Sequence, residues 1–291
     1  MSQQRAIAAL LGQQNDETAI SVRWVDQGEP TEWLWALLGK RRDFNIMVLG
    51  GRCDLRSLAA LRTVVAVHLI RTILDADSAA ALGRAPALEW LTMEETELCP
   101  EVWAFLGESR TLKHIFLNQV DVGDKGLQEL ARIRSLEELS LRKCGITDAG
   151  VQHLAEMSSL RQLGISDTRL TTGALECLAR MGRLSGLYIP RCGLTDASLV
   201  PLSAMTRLQR LDLSGNQITD KGVAVIRVMG GLKELGLNDT GITDEGLREI
   251  SAMPNLLTVR VAGTRITKEG VRRVGGIVEK QDREDVVYFA R

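Results

Sequence analysis

The chain lacks any apolar run approaching the roughly 18 residues of a bilayer span, so no membrane segment is expected. Its first residues, MSQQRAIAALLGQQNDETAI, lack a basic region followed by a long apolar stretch, so no secretory signal is expected either. It also lacks charge of one sign. The 36 basic and 37 acidic residues nearly cancel, so no global field draws it toward DNA, RNA or an acidic membrane. Cysteine is scarce: five residues, an odd number without framework spacing, favour reduced thiols and a cytoplasmic setting. There is no Walker loop, no strand–GxGxxG–helix and no GxSxG elbow. The expectation is a non-enzyme with no catalytic, cofactor-binding or metal residues. Of the three histidines, His153 falls on a helix surface, whereas His68 and His114 fall on a strand face two repeats apart. Strands lie about 4.8 Å apart, so the two backbones differ by roughly 10 Å, a poor geometry for a shared metal.

What the chain does have is a period. CGITDAGVQHLAEMSSL begins at Cys144, CGLTDASLVPLSAMTRL at Cys192, NQITDKGVAVIRVMGGL at Asn216 and TGITDEGLREISAMPNL at Thr240. The starts are separated by multiples of 24 residues, and self-similarity at such a period decides a fold. In that register coils open at Val64, Leu88, Leu112, Leu136, Leu160, Leu184, Leu208, Leu232 and Leu256. Apolar residues at the first, fourth and sixth positions, such as Leu232, Leu235 and Leu237, give a short strand with one buried face. A second apolar set, Leu247, Ile250 and Met253 in one coil, has helical spacing. Thr243 and Asp244 stand at the turn into that helix, where a side-chain oxygen caps free N–H groups and a carboxylate suits the dipole. Gly246 and its counterparts Gly126, Gly150, Gly222 and Gly270 mark a spot crowded by the neighbouring coil. The ninth position (Thr96, Val120, Cys144, Thr168, Cys192, Asn216, Thr240, Thr264) mostly carries a small hydrogen-bonding side chain that satisfies backbone groups inside the turn.

The pattern LxxLxLxx(C/T/N)x(I/L)TDxGLxxL resembles the leucine-rich repeat, in the cysteine-containing, ribonuclease-inhibitor-like variety found in F-box proteins and many bacterial proteins. The resemblance covers residues 64–279 and implies an α/β fold: a right-handed solenoid, or horseshoe, with a parallel sheet on its concave side and helices on its convex side. Several coils replace the cysteine with Thr, Asn or Val. Residues 1–42 do not match an F-box, so ubiquitin-ligase adaptor activity does not follow.

The expected organisation is one continuous domain. Residues 1–63 supply an N-terminal helix and two degenerate capping coils, about 19–42 and 43–63. Residues 64–279 supply nine repeats, and 280–291 a C-terminal cap strand around Asp285 to Arg291. In the first coil Ile20, Val22 and Trp24 point inward and a helix starts after Pro30. Trp33, Trp35, Phe44 and Trp103 are assigned to cap or core.

The informative surface is the open face of the sheet, where fold stability does not dictate the residue. Its third column runs Trp90, His114, Glu138, Gln162, Gly186, Arg210, Glu234 and Thr258. Its fifth runs Thr92, Phe116, Ser140, Gly164, Tyr188, Asp212, Gly236 and Arg260, and Arg142 stands two places beyond Ser140. Aromatics and arginine are enriched at binding hot spots. The partner-binding candidates are therefore Trp90, His114, Phe116, Glu138, Arg142, Tyr188, Arg210, Asp212, Glu234 and Arg260. Trp90, His114 and Phe116 are expected to form one cluster, while Gly164, Gly186 and Gly236 would let a partner approach the backbone.

The leading reading is a non-catalytic protein-interaction scaffold, monomeric when free, with a protein partner on the concave sheet face. Two alternatives stand beside it: an inhibitor or immunity protein that blocks a toxin or enzyme, and an enzyme-activating protein supplying Arg210 or Arg260 in trans. Acidic Glu94, Glu95, Glu138 and Asp212 on the same face argue against nucleic acid.

Overall fold

A computed structural model describes residues 19–24, 44–52, 54–281 and 284–289. The N-terminal helix, the helix after Pro30 and the rings of Trp24, Trp33, Trp35 and Phe44 lie outside what is described. The chain divides into two compact units, Met1–Gly145 and Ile146–Arg291. Each is built the same way, from a parallel strand, a turn, a helix and a return to the next strand. The first unit carries parallel strands Phe44–Leu49, Val64–Ile70, Trp90–Glu94, His114–Asn118 and Glu138–Arg142. The second carries Gln162–Ser166, Gly186–Tyr188, Arg210–Asp212, Glu234–Gly236 and Thr258–Arg260.

The strands pair at the sequence period. Trp90 lies beside His114, His114 beside Glu138, and Leu211 beside Leu235. Alternation then sends Leu91, Ile115, Leu139, Leu187, Leu211 and Leu235 into the core, each at most 1% exposed. Leu247, Ile250 and Met253 close the core from the helix side, with the amphipathic spacing read from the sequence. Trp103 is buried as well.

The Thr-Asp pair acts across coils as well as within one. Thr219, Thr243 and Thr267 cap their own helices by accepting from Lys221, Glu245 and Gly270 amides. Each aspartate turns the other way. Asp220 accepts from the Thr243 amide at 2.9 Å and the Thr243 hydroxyl at 2.6 Å, and Asp244 does the same to Thr267 at 2.7 Å and 2.7 Å. Asp196 holds Thr219 alike, and Asp148 holds Thr171. The Thr267 amide and hydroxyl hold the Asp244 carboxyl below its ordinary range. This ladder explains the glycine three residues after Thr219, Thr243 and Thr267: a Cβ at Gly222, Gly246 or Gly270 would run into the carboxylate of Asp196, Asp220 or Asp244 of the preceding coil.

One coil departs. Thr172 stands where an aspartate would reach forward, and the next helix, Asp196–Ala204, is a 3-10 helix. Pro201 lies inside it, without an N–H and with a ring that disfavours α-helical backbone four residues back. Here the Thr195 amide donates to Ser198 Oγ of its own coil at 3.1 Å.

The ninth column does what its chemistry implied. Cys144 Sγ–H donates to the Leu117 and Arg142 carbonyls, and Cys192 Sγ–H to those of Ile165 and Pro190. Asn216 satisfies four backbone groups, donating to Ile189 and Leu213 carbonyls and accepting from Cys192 and Leu194 amides. Burial pushes both thiols up to about 11. A column the sequence did not reveal precedes it. Arg71, Glu95, Gln119, Lys143, Asp167, Arg191 and Asp239 all have left-handed backbone, φ between 47° and 54°. That turn lets each coil make one more bond beyond its strand, as when the Arg191 amide donates to the Ser214 carbonyl at 2.9 Å.

The ends differ from the repeating expectation. Ala19–Trp24 pairs antiparallel with Phe44–Leu49, so the first strand caps the edge instead of opening a parallel coil. At the other end Glu284–Phe289 inserts antiparallel against Thr258–Arg260, and Gly276–Gln281 forms the outer edge beyond it. The last repeat therefore gives up its final residues to a hairpin. A reversed strand cannot accept a further parallel coil in register, and this terminates the array.

Candidate functional site

The open face of the first unit carries a stack of rings. Trp90 lies parallel to His114, centroids 4.4 Å apart and planes at 25°, and parallel to Phe116, centroids 5.1 Å apart and planes at 14°. Register explains it: His114 is directly opposite Trp90, and Phe116 is the diagonal neighbour two residues on. Pleating places all three on the face away from Leu91, Ile115 and Leu117. Trp90 remains 37% exposed. Both of its stacking partners come from the strand on one side, which leaves its other face toward the strand of Ala66 and His68. There the surface dips into a depression of about 530 Å³ lined by Asn45, Val65, Ala66, His68, Glu89, Trp90 and His114.

Ion pairs and hydrogen bonds between neighbouring coils frame this cluster. His114 Nδ1 lies 3.0 Å from Glu138 Oε2, and Lys113 Nζ lies 2.7 Å from Glu89 Oε1. Asn118 Nδ2 donates to Glu94 at 3.1 Å and Gln119 Nε2 to Glu95 at 3.1 Å. Burial holds the half-buried His68 imidazole below its ordinary value. His68 and His114 thus share one depression although they stand two strands apart. Among the described residues no group of three His, Cys, Asp or Glu side chains is placed to hold a metal ion. The described cysteines, Cys99, Cys144, Cys177 and Cys192, are free thiols.

The second unit treats its open face differently. Tyr188 folds back along its own strand, and a Cβ on Gly186 would lie 3.1 Å from its ring. Asp212 and Arg260 approach within 3.7 Å across Gly236, and a Cβ there would collide with the Asp212 carboxylate. Gly186 and Gly236 are consequently buried. This corrects the expectation that they expose backbone to a partner: their missing side chains make room for residues of the same face. Arg260, engaged with Asp212, is also a poor group to lend in trans. Arg210 is half-buried and Glu234 exposed in the third column, and Arg142 is exposed at the strand end of the first unit.

The family model described as Leucine Rich repeat matches three stretches of the coils, residues 132–155, 204–226 and 232–251. No curated protein matches the chain. Among solved structures it is similar to two from Listeria monocytogenes str. 4b F2365. One is an internalin (inlF), 20% identical over 74% of this chain and 72% of that one, with a TM-score of 0.47. The other is an internalin C2 (inlC2), 22% identical over 64% of this chain and 75% of that one, with a TM-score of 0.49. Among the described residues no helix is long and apolar enough to cross a membrane.

Proposed function

We propose that the chain is a non-catalytic protein-interaction scaffold that takes a protein partner on the open face of its sheet, with Trp90, His114 and Phe116 at the centre of the contact. Stacked coils make extended surfaces of this kind, with the core residues fixed and the face residues at liberty to vary. One observation carries the reading: three stacked rings stand half-exposed beside an apolar-walled depression on the open face of the sheet. Water around those rings is unfavourable, and a partner covering them recovers roughly 25 cal/mol per Å² of apolar area. Glu138 and Arg142 flank the cluster and supply orientation and selectivity.

The test is a photo-crosslinking amino acid placed at Thr92, on the same face one strand from Phe116, in cells of the native host. The expected result is one dominant cross-linked protein that disappears when Trp90→Ala is added. Cross-links that survive Trp90→Ala unchanged would move the partner elsewhere.

A further inference from the structure

The near-zero net charge conceals a polarity in the second unit. Four successive return segments run from helix to strand there: residues 155–161, 179–185, 203–209 and 227–233. They hold Arg161, Arg180, Arg183, Arg207, Arg227 and Lys233 against the single acid Glu156. All six cations are exposed, and none makes an ion pair among the described residues. Arg180 and Arg183 spend one N–H each on neutral groups, the Cys177 sulfur and the Ser158 carbonyl. In the first unit the same edge is mixed: Arg132 pairs with Glu129 and Lys113 with Glu89. Cations at helix C-termini suit the dipole, but that accounts for one charge per helix end, of modest worth.

The edge is also shaped. Two depressions, of about 360 and 250 Å³, lie between successive coils, the first ringed by Glu156, Arg180, Arg183 and Arg207 and both touching Met181. Val228 is 61% exposed on the same edge. Gly182 and Gly230 have neither left-handed backbone nor any atom within 4 Å of a would-be Cβ, so the fold does not require glycine at either place. Bare backbone, the exposed Val228 side chain and guanidinium groups without an ion-pair partner together fit a segment that alternates carboxylates with apolar side chains. The four segments contain no aromatic ring on which a base could stack, which sets this edge apart from a single-strand nucleic-acid groove.

We propose that this return edge of the second unit is a docking surface for an acidic, apolar-studded segment of a protein partner, distinct from the ring cluster of the first unit. The probe is a fluorescein-labelled peptide of repeated Asp-Glu-Leu triplets, followed by anisotropy on the full chain. Binding should weaken with salt, and about tenfold or more in Arg180→Glu/Arg183→Glu/Arg207→Glu. It should be unchanged in Arg132→Glu/Arg134→Glu of the first unit and in Trp90→Ala. Should the glutamate triple fail to fold by circular dichroism, the glutamine triple at the same positions carries the test. Three results overturn the proposal: no peptide binding to the wild type, equal binding to wild type and triple variant, or tighter binding of a single-stranded oligonucleotide of equal charge.

Discussion

The two units share a buried face and differ in the open one. In the second, Tyr188 lies over Gly186 and Asp212 with Arg260 spans Gly236, so the face is largely occupied by its own side chains. In the first, Trp90 stacks on His114 and Phe116 and still presents a ring to solvent above a depression. One strand geometry, with one period, thus produces a self-covered face and an uncovered one. The difference lies wholly in residues the core does not constrain, and that is where function has to be sought in a repeat fold.

The largest expected effect tests the half of the comparison that says the units are alike. Leu139→Ala and Leu211→Ala occupy the same column and are both fully buried, so each should destabilise by about 2–5 kcal/mol in chemical denaturation. A near-zero cost for either would show that the shared register is wrong. Next is Gly236→Ala. Its Cβ meets the Asp212 carboxylate, and the overpacking should cost about 1–3 kcal/mol. Adding Asp212→Ala should recover part of the loss, a coupling that a double-mutant cycle reads directly. Additive costs would mean the glycine is kept for another reason.

An effect of comparable size distinguishes the inter-coil ladder from simple helix capping. Asp220→Ala removes two acceptors from Thr243, an expected cost of about 1–3 kcal/mol, and should make Gly246→Ala less damaging than it is in the wild type. Smallest is a pH effect in the first unit. Burial holds folded His68 below the ordinary histidine value of 6.5, so below that pH the unfolded chain binds the extra proton. Stability should therefore be full above the unfolded value and decline as pH falls from there toward the folded one. His68→Gln should flatten that decline, and an unchanged pH profile would place the proton elsewhere.

Much of this was legible in the residues. Period, strand and helix faces, the Thr cap, the crowded glycine and the ninth-column hydrogen bonds all follow from side chains recurring in register. The ring cluster followed too, because pleating and pairing fix which residues share a face. What escaped was whatever depends on a single local event. The left-handed column is filled by Arg, Glu, Gln, Lys and Asp as readily as by glycine, so composition gives no sign of it. The 3-10 helix at Asp196–Ala204 needed Pro201 and the missing aspartate at Thr172 to be weighed together. The antiparallel direction of both cap strands was not legible, because apolar alternation carries no strand direction. The exposed-glycine reading failed because a bare position invites the nearest side chain of the same molecule before it invites a partner.

The central claim, that the uncovered rings of the first unit are where a protein partner sits, is tested most directly by the affinity of the cross-linked partner for Trp90→Ala/Phe116→Ala beside Arg210→Ala/Glu234→Ala. The account predicts an unchanged melting temperature and about tenfold or greater weakening for the ring variant, roughly 1.4 kcal/mol, with little change for the polar one. Wild-type affinity in a folded ring variant would contradict it.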